Sequence, residues 1–187
     1  MQSDVQIVTK IQKGNAEDFV VLYEKYAKKI FDFIFYKIGN KEETEDLTSE
    51  VFLKAFNNIA HFDIQKQTSF SSRLYTIAKN LVIDHFRTRH EQYEYERLEQ
   101  QSIQEDLLQN IQDKEILNNV MTFLNTLGES KKQLFILKIW NELSYEEISQ
   151  ILGKTPNACK VEFHRVLQNV IKKFGISIIL LLLKHAL

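Results

Sequence analysis

Apolar residues recur at three- and four-residue spacing along most of this chain, and few breakers interrupt them. Phe19, Leu22, Tyr23, Tyr26, Ile30, Phe33 and Ile34 form a stripe that predicts a helix from Ala16 to Ile38, stopped by Gly39 and Asn40. A second helix is predicted from about Glu42 to Ile59, burying Leu47, Val51, Phe52, Ala55, Phe56 and Ile59. His61 to Thr68 reads as a loop. A third helix starts near Ser69 and runs past Arg89, with Phe70, Leu74, Ile77, Ala78, Leu81, Val82 and Phe86 inward. From Glu91 to Gln112 the chain is rich in Gln and Glu and poor in large apolar groups, so it predicts a flexible linker. Periodicity returns at Asp113 with Ile116, Leu117, Val120, Phe123, Leu124 and Leu127; Gly128 ends that run, and Lys131 to Trp140 forms another.

Residues 143–167 carry the sharpest local signal. Ser144 and Glu147 stand at capping-box spacing. Leu143, Ile148, Ile151 and Leu152 make a stripe, and Gly153 sits where the helix must stop. Thr155 and Pro156 restart a helix as cap and first residue. Cys159, Phe163, Val166, Leu167 and Val170 continue an inward stripe. Two short helices about a Gly-containing turn make a helix-turn-helix, whose second helix can enter a DNA major groove. A plain helical hairpin gives the same pattern.

The predicted fold is therefore all-α: two small helical domains joined by a flexible acidic linker. The expected boundaries are 1–90, linker 91–113, 114–175, and an apolar tail 176–187. One Pro and 5 Gly in 187 residues fit that reading. The tail, ISIILLLLKHAL, is too short to span a membrane. Packing against the second domain is the leading expectation for it; a partner or a membrane surface remains open.

Charge sharpens the division. Residues 1–90 carry 13 Lys+Arg against 12 Asp+Glu, residues 91–113 carry 1 against 7, and residues 114–187 carry 10 against 6. A chain of net charge -1 binds nucleic acid weakly through charge alone, so any DNA contact depends on local patches or a partner. Glu42, Glu43, Glu45, Asp46 and Glu50 crowd the start of the second helix. The helix dipole accounts for some of them and a basic partner for the excess. From Ile64 to His90, Lys66, Arg73, Lys79, Arg87 and Arg89 face only Asp84. That basic bias suits nucleic acid, or a solvated face.

The single cysteine excludes an internal disulfide, and the five histidines show no ligand spacing, so no metal and no cofactor is expected. No phosphate-binding loop or nucleophile elbow appears, and an enzyme with a small-molecule substrate is the least expected reading. The N-terminus lacks a signal-type apolar core, so a cytoplasmic location is expected.

Taken together, these residues resemble an extracytoplasmic-function sigma factor of the sigma-70 family. FVVLYEKYAKKIFDFI (19–34) is similar to the family's first conserved helix, and TEDLTSEVFLKAF (44–56) to the segment that grips the polymerase β′ subunit. FSSRLYTIAKNLVIDHFR (70–87) is similar to the segment that melts the −10 element, and residues 127–166 to the domain that reads the −35 element. The resemblance implies core RNA polymerase (β′ clamp, β flap) and promoter DNA as partners, with an anti-sigma factor as a further one. It implies polymerase contacts from Glu45, Asp46 and Glu50, with Leu47 and Phe52 behind them. It implies −10 contacts from His61, Phe62, Lys66, Arg73, Tyr75, Lys79, Asn80, Arg87 and Arg89, around a base flipped from the stack. Phe62, Phe70 and Tyr75 either stack on that DNA or fill core. It implies −35 contacts from Thr155, Pro156, Asn157, Lys160, Val161, His164 and Arg165.

Several positions depart from the family pattern: of Gly-Thr-Val-Lys-Ser-Arg in the recognition helix, Asn157-Ala158-Cys159-Lys160-Val161-Glu162 keeps only the Lys. Arg73 stands where a Trp is usual, Ser49 where a Gln is usual, and Glu162 where an Arg is usual. Glu162 is expected to repel phosphate while remaining able to accept from cytosine. Two other readings stay open: a stand-alone helix-turn-helix regulator, and a degenerate sigma-like interaction module.

Overall fold

The computed structural model describes residues 3–64, 69–93, 111–179 and 182; the side chains of residues 89–93, 111–115 and 117 are not described. The chain divides into two compact units, Met1–Ile103 and Gln104–Leu187. The described residues of both units are helical with no strand.

The first unit opens with a helix that the periodicity did not predict, α1 (Asp4–Gln12). Ser3 Oγ accepts from the Gln6 amide, and the Gln6 side chain accepts from the Ser3 amide, at 3.3 and 3.0 Å. That reciprocal cap starts the helix. Ile7, Val8 and Ile11 then bury themselves against α2 (Phe19–Ile38). The carboxylate of Asp4 takes both the Lys25 ammonium and the Tyr26 hydroxyl, which fixes the start of α1 to α2. A single 3-10 turn, Ala16–Asp18, leads into α2, which ends at left-handed Gly39 (φ 73°). Only a residue without Cβ takes that conformation cheaply.

Helix α3 (Lys41–Asn57) is capped by Asn40, whose Oδ1 accepts from the Glu43 amide at 3.1 Å. It stops at Asn57, two residues short of the expected end, and Ile59–His61 forms a separate 3-10 turn. Helix α4 (Phe70–Tyr93) packs on both α2 and α3. The buried stripe of α3 is Thr44, Thr48, Val51, Phe52 and Ala55. Leu47, expected inside, is half-buried. Threonines and alanine are small enough to let α4 approach, and Thr44 spends its hydroxyl on the Asn40 carbonyl at 2.6 Å.

The expected core faces were too wide at their edges. Tyr23, Phe56, Phe86 and Ile116 are 46%, 37%, 44% and 40% exposed. The first three lie on the rim, each with its ring edge against one neighbour: Tyr23 on Phe52, Phe56 on Phe19, Phe86 on His85.

The second unit holds α5 (Ile111–Thr126), α6 (Glu129–Ile139), α7 (Tyr145–Leu152) and α8 (Pro156–Phe174). Its core gathers Leu124, Leu134, Phe135, Ile148, Cys159 and Phe163. Of the described tail residues, Ile178 and Leu182 are 4% and 0% exposed while Ile176 is 76% exposed; the rest of the tail, 180–181 and 183–187, lies outside the described residues. No described helix is long and apolar enough to cross a membrane.

Candidate nucleic-acid and polymerase interfaces

Three surfaces hold the residues singled out above. On α3, Glu45 and Asp46 are exposed, and Ser49 and Leu53 continue the same face at four-residue steps. Leu53 is 60% exposed, an apolar group within an acidic surface. It was missed because its spacing puts it off the core stripe, which is itself the signal that finds it. Glu50 is half-buried and pairs with Lys54 at 2.9 Å. Leu47 and Glu50 line a hollow of about 420 Å³ between α3 and α4, together with Glu43, Asp84 and His85. His85 Nε2 lies 3.3 Å from a Glu43 oxygen, an ion pair when the imidazole is protonated. Phe52 is not available to a partner: it is 4% exposed, with its ring 4.8 Å from that of Tyr23.

The second surface surrounds a pocket of about 160 Å³ beside the Ile59–His61 turn. His61, Phe62, Asp63 and Arg73 form its walls, over Ile59 and Phe70. It is smaller than the roughly 300 Å³ at which drug-sized ligand sites begin. Phe62 is half-buried with its ring edge-on to Phe70 at 6.0 Å. The wall is held from outside: Gln12 Nε2 donates to the carbonyls of Ile59 and Phe62 at 2.9 and 2.7 Å. Nothing in the local sequence signals Gln12, because the contact spans about fifty residues.

Arg73, Asn80 and Arg87 follow at seven-residue intervals along α4, which places them on one face, and all three are exposed. Arg87 makes a surface pair with Asp84 at 3.2 Å. Lys79 is half-buried on a neighbouring face. Tyr75 corrects the expectation: it is 0% exposed and its ring meets Phe33 edge-on at 5.3 Å. It is core and cannot stack on a base. Lys66 and the Arg89 side chain lie outside the described residues.

The third surface is the helix-turn-helix, formed as the capping signals require. Ser144 Oγ accepts from the Glu147 amide at 3.2 Å while Glu147 Oε2 accepts from the Ser144 amide at 2.9 Å. Gly153 is left-handed (φ 66°), and Thr155 Oγ1 accepts from the Ala158 amide at 3.2 Å, with Pro156 as first helical residue. Cys159, Phe163, Val166 and Val170 turn inward. Thr155, Pro156, Asn157, Lys160, Val161, His164 and Arg165 are all exposed. Burial pushes the Cys159 thiol above its ordinary range, with Lys154 pulling the other way and Glu162 adding to the rise. Glu162 does not project as a bare charge: its carboxylate engages the Lys154 ammonium.

The Sigma-70 region 2 family model matches residues 22–92, and the Sigma-70, region 4 family model matches residues 117–170. The RNA polymerase sigma factor YlaC of Bacillus subtilis is 30% identical over 152 residues, which cover 77% of this chain and 84% of YlaC. The ECF RNA polymerase sigma factor BldN of Streptomyces coelicolor is 30% identical over 173 residues, covering 89% of this chain and 64% of BldN. This chain belongs to the extracytoplasmic-function group of the sigma-70 family. The fold agrees. The sigma factor RpoE of Bartonella quintana, solved with the anti-sigma factor NepR, superposes with a TM-score of 0.68 at 19% identity, covering 86% of this chain and 98% of that one. In this sigma factor the acidic face of α3, the small pocket and α4 thus fall within region 2, and the helix-turn-helix within region 4.

Proposed function

We propose that this chain is a promoter-specificity subunit that acts only with core RNA polymerase. Glu45, Asp46 and Leu53 would dock α3 on a basic clamp surface, where opposed charges steer the encounter and fix register. The His61–Arg73 pocket would hold one unstacked base, and Arg73, Asn80 and Arg87 would follow the strand. Helix α8 would enter the −35 major groove through Asn157, Lys160, Val161, His164 and Arg165, with the Thr155 cap at a phosphate. The domains proposed are 1–90 for the clamp and −10 element and 114–175 for the −35 element. The chain would supply contacts and catalyse nothing. It would work in the cytoplasm, where an anti-sigma factor, as in the RpoE complex, would be a further partner.

The observation that carries this reading is that one chain matches both regions in family order. A stand-alone regulator has no use for region 2. The test is selection from a randomised duplex library by the chain alone, by core polymerase alone, and by both. Enrichment of two spaced elements only by the combination is expected. Enrichment by the chain alone would favour the stand-alone regulator, and core binding without enrichment the interaction module.

A further inference from the structure

Helix α8 carries one carboxylate, Glu162, on the stretch proposed to meet DNA. Its side chain is only 24% exposed, because the ammonium of Lys154 sits against it. Lys154 belongs to the turn rather than to α8, and it also donates to Ser130 Oγ on α6 at 2.9 Å. One cation thus ties α6, the turn and α8 together. Lys131 and Arg165 line the same hollow of about 850 Å³. An unpaired carboxylate near a phosphate is repelled by it, and several times more strongly where water is displaced. Paired with Lys154, Glu162 presents no net charge.

The geometry points to Lys154 as a positioning residue for promoter recognition: it masks Glu162 so that α8 can approach the DNA backbone. Lys154 acts through Glu162 rather than as a phosphate contact of its own. This inference rests on the proposed function, and its test separates the two.

The probe is a randomised duplex library enriched on wild-type holoenzyme, the chain with core polymerase. Binding of that pool is then compared for Lys154→Ala, Glu162→Gln, the double variant and Lys154→Arg. Lys154→Ala is expected to weaken binding about tenfold, the size of one unscreened like-charge contact. The same change in the Glu162→Gln background is expected to cost less than about threefold, and Lys154→Arg to retain wild-type binding. A thermal melt of each variant shows that the helix-turn-helix remains folded. An equal loss in both backgrounds, or no loss in either, overturns the masking role while leaving the proposed function standing. Failure of wild-type holoenzyme to enrich any DNA overturns the proposed function and this inference with it.

Discussion

The side-chain amide of Gln12 donates to the main-chain carbonyl of Phe62 at 2.7 Å, tying the first helix to the wall of the region 2 pocket. Its second bond, to the Ile59 carbonyl at 2.9 Å, holds the other end of that wall. Gln12→Ala removes both, at about 1 kcal/mol per bond. The expected outcome is reduced permanganate reactivity of promoter thymines at unchanged affinity for core polymerase. Unchanged opening would mean that the pocket wall needs no brace.

Reversing charge on the outer face of α3 separates docking from folding. Glu45→Lys with Asp46→Lys is expected to weaken core polymerase binding by more than about tenfold, because a favourable steering field becomes repulsive. Both side chains are exposed, so the change in folding stability should stay within about 0.5 kcal/mol. Binding by fluorescence anisotropy and a urea titration measure the two effects. Full affinity retained would remove α3 from the interface.

Tyr75 and Arg73 stand two residues apart and should behave oppositely. Tyr75 is fully buried against Phe33, so Tyr75→Ala should cost about 3–5 kcal/mol in a urea titration. Arg73 is exposed beside the pocket, so Arg73→Ala should leave stability within about 0.5 kcal/mol and weaken binding of single-stranded −10 DNA by holoenzyme. A DNA defect from Tyr75→Phe at full stability would return Tyr75 to the interface.

Asp32 gives a pH dependence of unusual sign. Burial pushes its carboxyl above the ordinary range, and Lys28 at 3.7 Å only partly offsets this. A folded-state value above the unfolded one means that the charged form costs stability at neutral pH. That cost relaxes as pH falls through the raised value and is gone below the ordinary value of about 4. Asp32→Asn should therefore be the more stable protein at neutral pH, with the difference vanishing in acid. The neighbouring Tyr36 hydroxyl, pushed up to about 12 by burial and by Asp32, stays protonated throughout. Equal melting temperatures across the range would contradict the burial argument.

The turn of the helix-turn-helix is held by local chemistry that can be removed piece by piece. Ser144→Ala should cost about 1 kcal/mol through the lost cap. At Gly153 an added Cβ meets nothing within 4 Å, so Gly153→Ala should cost only the left-handed backbone strain, about 1–2 kcal/mol. Hydrogen exchange of the α7 amides should rise in both variants. Protection unchanged by either would show that tertiary packing alone sets the turn.

Local signals were the legible ones. The Ser144–Glu147 box, left-handed Gly153 and the Thr155–Pro156 restart are each fixed by residues within a few positions of one another, and the structure reproduces them. The Ser3–Gln6 box was equally readable, yet α1 went unpredicted because its three buried residues make too short a stripe. Tyr75 was misplaced for a different reason. An aromatic ring near a polar surface suits both core and interface, and only packing partners decide. Lys154 on Glu162 and Gln12 on Phe62 were invisible, because turn geometry or chain crossing creates them.

Transcription in vitro from a promoter library, with purified core polymerase and with or without this chain, shows whether the chain confers promoter specificity. The expected result is transcripts that depend on the chain and share two spaced upstream elements. Loss of those transcripts with Glu45→Lys and Asp46→Lys would tie them to docking through α3. Transcripts unchanged by adding the chain, from a folded protein that binds core polymerase, would contradict the proposed function.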